Sequence, residues 1–221
     1  MDSIILKEHG NIDSSIDYFK KLNIPKNAKI LDVGCRYGSL LHRLFELGYT
    51  NIQGIDNDKE SIEIGKKMYV DVNKQINYYP GDRIPFEDAG FDLVLMFDVI
   101  EHIPHIQDFL TNQVYRVIKK GGRFIFQTPN KIINIPWEII HKKSFSAYKE
   151  YHCSLQTKNS LRTILDKAQF KDIVIEKHNI LTSHNKKKVR ESVGLIGLPL
   201  VYILQKMPLV IFPNFWGNCR K

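Results

Sequence analysis

Apolar positions along the chain change their period repeatedly, and the changes outline a fold. Ile12, Ile16, Phe19 and Leu22 recur near helical spacing, which predicts an amphipathic helix over 12–22 ending before Pro25. Residues 28–33 form a short run of the buried-strand type. Residues 38–47 return to helical spacing, with apolar side chains at 40, 41, 44, 45 and 47 and Gly48 as the stop. The alternation repeats as a predicted strand over 51–56, a helix over 59–69, a strand over 75–79 and a continuous apolar strand over 91–97. A helix from about 106 to 119 should end at Gly121 and Gly122, with a strand returning over 123–128. Strands separated by helical segments predict an α/β fold, doubly wound, with a mostly parallel sheet covered on both faces.

Residues 129–146 break the alternation, because Ile132, Ile133, Ile135, Trp137, Ile139 and Ile140 crowd together without a clean period. An insertion of this kind serves either as a lid facing the substrate or as a packing connection. Thr157 is the expected N-cap of a helix over 158–167, and 172–176 is the next expected strand. The chain then changes character. A basic cluster from Lys186 to Arg190 leads into an apolar run over 193–204, then Gln205 and Lys206, then a second apolar stretch over 207–213. The uninterrupted run is shorter than the roughly 20 residues of a spanning helix. Pro199, Lys206 and Pro208 interrupt any longer one, so no transmembrane span is expected. The pattern divides the chain into one domain over 1–180 and a basic, then hydrophobic, C-terminal appendage over 181–221.

At 221 residues, 43% hydrophobic and 25% charged, the chain has the composition of a soluble globular protein with a single core. The net charge of +8 favours anionic partners without choosing among nucleic acid, a membrane surface and an acidic substrate. Cys35, Cys153 and Cys219 are too few and too scattered for a disulfide framework or a zinc site, which points to a reducing, cytoplasmic setting. Residues 1–10 carry no apolar core of the kind an export signal needs.

Chemistry enters after the first strand. In an α/β sheet, ligands sit beyond the carboxyl ends of the strands, and glycines there let backbone amides approach a ligand closely. Asp32, Gly34, Cys35, Arg36 and Gly38 occupy that place, with a spacing that is not the Gly-x-Gly-x-x-Gly of dinucleotide sites. One strand-helix-strand unit later, Asp56 and Asn57 end the second strand. A carboxylate there can accept both hydroxyls of a ribose, while Asp58 better fits the cap of the helix beginning near Lys59.

With these stretches in view, the sequence resembles the class I methyltransferases that use S-adenosylmethionine, and within them the group of ubiquinone-biosynthesis O-methyltransferases. The resemblance rests on 30–35 (ILDVGC), 54–57 (GIDN), Gly81 and Asp82 with Pro85 and Phe86, 91–94 (FDLV), 99–102 (VIEH) and 117–123 (VIKKGGR), six stretches in order across most of 28–130. It implies a Rossmann-like fold with S-adenosylmethionine as cofactor. Gly34 and its neighbours would lie against the methionine part, Asp56 would hold the ribose, and Asp82 would meet the adenine amino group. Phe97 and Asp98 would border the methionine part and the opening to substrate, and Asn130 belongs to a Thr-Pro-Asn turn that the group often shows. The chain departs from the group at Arg36, where a glycine is usual, and in a short link between Asp82 and Pro85. An arginine there calls for an unusual backbone angle, and its guanidinium could pair with the cofactor carboxylate.

Methyl transfer from a sulfonium is an in-line displacement, so the protein must align an acceptor and, for a hydroxyl acceptor, remove a proton. His102 and His105, after the fourth strand, and His152, after the insertion, are the candidate bases, with His102 and His152 preferred. No cluster visible in the sequence calls for a metal. The expected acceptor is an oxygen, less readily a nitrogen, of a small or lipid-linked molecule. The tail could supply cations and aromatic groups, Phe212, Phe215 and Trp216, to an anionic membrane surface, or pack against the sheet. Rival readings are an NAD-linked dehydrogenase, disfavoured by the loop spacing, and a non-catalytic cofactor-binding or RNA-binding partner. Nucleic acid is disfavoured, since no interleaved basic and aromatic strand pattern is present.

Overall fold

The computed structural model describes residues 12–144, 152–181, 186–187, 190, 194 and 197–221. The elements run α1 (Ile12–Lys21), β1 (Ile30–Val33), α2 (Ser39–Glu46), β2 (Ile52–Asp56), α3 (Lys59–Met68), β3 (Ile76–Tyr78) and β4 (Phe91–Phe97). A helical stretch follows, made of α4 (Ile106–Phe109), a π-turn (Leu110–Val114) and α5 (Tyr115–Val117). Then come β5 (Ile118–Pro129), α6 (Lys131–Lys142), α7 (Lys158–Lys167), β6 (Lys171–Glu176), α8 (Gly197–Lys206) and β7 (Asn214–Arg220).

The strands make one seven-stranded sheet in the order β3-β2-β1-β4-β5-β7-β6. The pairs β3-β2, β2-β1, β1-β4 and β4-β5 are parallel, whereas β7 runs antiparallel to both its neighbours. The fully apolar character of β4 follows from its central place: Val94 and Met96 enter the core layer on one face, Leu93 and Leu95 the layer on the other. Connections reverse direction between β1 and β4, and the crevice at such a switch point is where ligands of open α/β sheets bind.

Three sequence expectations are corrected. The helix expected over 106–119 ends at Val117, because Ile118 already pairs with Phe91 and a register shift follows between Phe91 and Leu93. The irregular stretch 129–146 contains a regular helix, α6, capped by Asn130, whose side chain accepts from the Ile132 amide at 3.1 Å; its period is obscured by Pro136 inside it. The appendage over 181–221 does not stand apart from the sheet. Residues 214–220 are inserted between β5 and β6, with Phe126 opposite Gly217 and Gln127 opposite Trp216.

The alternation of β7 explains why it belongs there. Phe215 and Cys219 join one core layer and Trp216 the other. Trp216 packs 5.1 Å from the Tyr18 ring of α1, and Tyr18 donates to the Glu176 carboxylate of β6 at 3.0 Å, which ties the leading helix to the final strands. Buried Asn130 fastens the approach to β7, its side-chain amide donating to the carbonyls of Val210 and Phe212 at 2.8 Å each. Phe212, Phe215 and Trp216 are all buried, so these aromatic groups serve packing rather than a membrane surface.

Candidate functional site

The loop from β1 to α2 crosses the switch point with its backbone held by β2. The amides of Gly34 and Cys35 both donate to the carbonyl of Ile55, at 2.8 and 3.1 Å, and the Gly38 amide closes the turn on the Cys35 carbonyl at 2.7 Å. Gly34 has φ +83°, and a β-carbon there would fall 2.3 Å from Cγ2 of Val99, in the loop after β4. Glycine is therefore required both for its backbone angle and because the two loops of the crevice touch at this point.

Arg36 adopts the left-handed conformation, φ +48°, that its place in a glycine position implied. Its amide donates to Oδ2 of Asp56 at 2.8 Å, while Oδ1 of Asp56 accepts from the Asp58 amide at 2.8 Å. The guanidinium lies 4.8 Å over the Tyr37 ring, near enough to Asp56 and Asp58 to favour their ionised forms. The cation is thus turned toward the carboxylates of Asp56 and Asp58. Asp58 is the cap of α3, accepting from Ser61 N at 3.1 Å and from Ser61 Oγ at 2.7 Å, and these bonds hold its pKa below the usual range. Asn57 lies against Gly81, where a β-carbon would fall 3.8 Å from the Asn57 amide nitrogen, so the GIDN turn adjoins the turn carrying Asp82. Asp82 is exposed and accepts from the Arg83 amide.

Asp32, in the middle of β1, is buried, and burial followed by the negative charge of Asp56 pushes its pKa up to about 8. Burial also raises Asp56. A cation placed beside these two carboxyl groups would favour their ionised forms and be stabilised by them. Cys35, likewise buried, is driven upward by the same causes and is no thiolate nucleophile at neutral pH.

On the other side of the switch point, Phe97 ends β4 half-buried, its ring 5.7 Å from Trp216. The chain then turns through Asp98, φ +54°, into a 3-10 turn over Ile100–His102. Glu101 is buried, accepts from Thr128 Oγ1 at 3.0 Å, and is pushed up to about 8 by burial and then by the charge of Asp98. The residues after the insertion dock here, since the Ser154 amide donates to the Glu101 carbonyl at 2.9 Å. The fold thereby brings His152 against His102, with ring centroids 5.0 Å apart. His152 Nδ1 also meets Oε1 of buried Glu138 at 2.6 Å and Oδ1 of Asn134 at 3.2 Å. His105, by contrast, sits exposed at the start of α4 and joins no part of this group.

The fold gathers side chains that the sequence leaves apart. One ligand atom from each of Glu101, His102 and His152 lies within 4.8 Å of the others. Glu101 and His102 are adjacent in sequence, but His152 is 50 positions away and Glu138 lies inside the stretch without clean period, so the sequence shows only half the cluster. A cleft of about 530 Å³, lined by Ala28, Asp92, Lys119, Arg123 and Arg220 among others, opens at the amino ends of the parallel strands, and none of the predicted cofactor residues lines it.

A doubly wound sheet with a glycine turn and a buried acidic floor at its switch point defines a class I, Rossmann-like nucleoside-cofactor fold. The chain belongs to the S-adenosylmethionine-dependent methyltransferases: the family described as "Methyltransferase domain" matches residues 8–175. Its cofactor is S-adenosylmethionine. Among curated proteins it is 34% identical over 110 residues to a ubiquinone biosynthesis O-methyltransferase of Pelagibacter ubique, covering 49% of this chain and 45% of that one. It is 24% identical over 177 residues to sterol 4-C-methyltransferase strm-1 of Caenorhabditis elegans, covering 76% and 51%. The chain thus spans about half the length of these curated relatives. Among solved structures, phosphoethanolamine N-methyltransferase 2 of Haemonchus contortus, in complex with S-adenosyl-L-methionine, superposes with a TM-score of 0.66 at 16% identity, covering 95% of this chain and 52% of that one, which bears on the fold alone.

Proposed function

We propose that the chain transfers the methyl group of S-adenosylmethionine to an oxygen of a small-molecule or lipid-linked acceptor. The observation that carries this reading is the pairing of His102 and His152 at the loop after β4, the loop whose Val99 meets the glycine turn at Gly34. In this assignment the methionine part lies along Asp32, Gly34, Cys35 and Gly38, the ribose meets Asp56 and Asn57, the adenine reaches Asp82, and Phe97 borders the reactive end. The acidic floor offsets the positive charge of the sulfonium and ammonium groups. His102 and His152 draw the proton from the acceptor hydroxyl. A neutral amine is methylated through its own lone pair without prior loss of a proton, whereas a hydroxyl gives its proton up, so a pair of candidate bases favours oxygen over nitrogen.

A lipid-linked acceptor agrees with the surface near α6 and α8. Ile132, Trp137, Ile140, Tyr202, Ile203 and Val210 are exposed apolar groups, and Lys186 lies 5.6 Å from the Tyr202 ring. No helix among the described residues is long and apolar enough to cross a membrane. Cations beside exposed apolar groups suit the surface of an anionic bilayer. Because the last strand belongs to the sheet, truncating the tail would damage the fold; replacing Tyr202 and Ile203 with Ser is the cleaner probe. Retention of full binding to anionic vesicles by that variant would remove the membrane element of the proposal.

The central test uses labelled S-adenosylmethionine with lipid and soluble extracts, asking which fraction takes the label. With the acceptor in hand, His102→Ala should lower turnover by about a hundredfold or more while leaving cofactor affinity within about twofold. Unchanged turnover would end the assignment of His102.

A further inference from the structure

The cleft at the amino ends of the strands lies apart from every residue assigned to the cofactor, and its lining is strongly basic. Lys119, Lys120, Arg123 and Arg220 line a volume of about 530 Å³ together with a single carboxylate, Asp92. That carboxylate is already engaged, since Oδ1 accepts from Lys119 Nζ and Oδ2 from the Lys29 amide, at 2.8 Å each. Arg220 reaches the exposed Asp172 at 3.8 Å, and among the described residues no carboxylate lies in ion-pair range of Lys120 or Arg123.

The strand ladder sets these cations apart from a scatter of surface charges. Arg123 of β5 stands directly opposite Arg220 of β7, and Arg220 directly opposite Lys171 of β6, so three cations form one row across three strands. The β-carbons of directly opposed residues lie about 5 Å apart, and like charges there repel. Backbone carbonyls relieve part of this: Arg123 Nη1 donates to Leu22, beyond the end of α1, at 3.4 Å, and Arg220 Nη1 to Gly121 at 3.3 Å. Both bonds are long, and each guanidinium carries five N–H donors. A multiply charged anion seated between the two would give both a partner.

The place and size of the cleft narrow the anion. The exposed apolar groups of α6 and α8 lie toward the carboxyl end of β5, whereas Arg123 comes six residues before that end, about 20 Å along the strand. A lipid headgroup approached from that apolar surface would therefore meet the wrong end of the sheet. The volume exceeds a bare phosphate and falls within the range of small-molecule sites. Ile24, Pro25, Ala28 and Leu93 add apolar lining for the body of such a molecule. A phosphate ester carries close to two negative charges at neutral pH and three acceptor oxygens, which suits paired guanidiniums better than a single carboxylate does.

We infer that this cleft is a second ligand site, in which Lys120, Arg123 and Arg220 bind the phosphate or diphosphate group of a small soluble molecule while S-adenosylmethionine occupies the crevice at the carboxyl ends of the strands. The anion joins the end of α1 to β5 and β7, so its binding stabilises the place of the last strand in the sheet. The site is independent of the acceptor assigned above.

The test uses the full chain saturated with S-adenosylmethionine, so that the crevice is filled. Pyrophosphate and uridine monophosphate are titrated by calorimetry at constant ionic strength, with chloride as the reference anion, and the melting temperature is followed in parallel. One molecule per chain is expected, with a rise in melting temperature as the site fills. Arg123→Gln and Arg220→Gln should each weaken binding about tenfold or more. Lys120→Gln, at an exposed side chain, must weaken it as well, so that misfolding of the arginine variants does not decide the question. Lys66→Gln on α3, the same change of charge elsewhere, should leave binding within about twofold. Absence of saturable uptake, uptake that chloride reproduces, or uptake indifferent to the three substitutions overturns the inference. So does binding seen only without S-adenosylmethionine, which would place the anion in the crevice. Association with phosphatidic acid vesicles through the same three cations, without binding of the soluble probes, would assign them to a lipid headgroup and likewise overturn the small-molecule site.

Discussion

Replacing Asp32 with Asn removes the carboxyl at the floor of the crevice while nearly preserving its shape, and the consequence should depend on pH. In the folded chain Asp32 titrates near about 8, against an ordinary value of 3.8, because burial and then Asp56 oppose its ionised form. Between those values the folded state holds a proton that the unfolded state has released. Stability is therefore greatest below the ordinary carboxyl range and falls as pH rises toward 8, levelling off once the folded group has also ionised. Each pKa unit corresponds to about 1.4 kcal/mol, so the displacement sets a ceiling of roughly 6 kcal/mol. Sharing of the charge with Asp56 and relaxation of the interior reduce this, and a difference of about 1 kcal/mol per pH unit between wild type and Asp32→Asn is the working expectation. Urea unfolding of the cofactor-free proteins at pH 5, 6, 7 and 8 measures it. The variant should already be ahead by about 1 kcal/mol at pH 5 and progressively more stable than wild type above that. Wild type should keep a steeper pH dependence even though Glu101, also pushed up to about 8, contributes a slope of the same sign to both. Parallel pH profiles for the two proteins would refute the claim that the crevice floor holds a strained carboxyl.

The same electrostatics predicts that S-adenosylmethionine, a cation at its sulfur and amino group, lowers the pKa of Asp32 on binding. Calorimetry at pH 7 in buffers of different ionisation enthalpy should then detect release of nearly one proton, about 0.9 for a group titrating near 8; binding without proton release would contradict it. Gly34→Ala places a methyl 2.3 Å from Val99 at φ +83° and should cost about 2–4 kcal/mol, with the Val99→Ala change in the same chain recovering part of that but none of the backbone strain. Equal urea midpoints for the single and double variants would show that the loops do not touch there. Trp216→Ala should cost about 3–5 kcal/mol, because the ring packs against Tyr18 and Phe97 in a filled layer; a loss below about 1 kcal/mol would place β7 outside the core. Arg36→Gly should raise the melting temperature slightly by relieving about 1 kcal/mol of left-handed strain. A fall would mean that the guanidinium's position by Tyr37, Asp56 and Asp58 outweighs the strain.

What the sequence disclosed and what it withheld divide along one physical line. The glycine turn, Asp56 and the strands of the parallel half are local: period, punctuation and spacing place each within a few positions, and the structure puts Asp58 rather than Asp56 at the cap of α3 as the spacing required. Even the unusual angle at Arg36 is readable, because it follows from the position that the residue occupies. The remaining features depend on pairing between distant segments. β7 carries a period-two pattern in Phe215, Trp216, Gly217 and Cys219, but a basic and proline-interrupted stretch before it makes the same aromatic groups look like an anchor. Only the ladder to β5 and β6 reveals their place. The cluster around His152 is less local still, since Glu101 comes from the turn after β4, Glu138 from α6 and His152 from the segment beyond it. Asn130 connects these parts: it caps α6, which carries Glu138, and it binds the carbonyls of Val210 and Phe212 just ahead of β7. The strand that completes the sheet and the helix that carries Glu138, the partner of His152, are therefore held by one buried amide, so a change at Asn130 should disturb His152 and its contacts before it disturbs the glycine turn, which is held by β2.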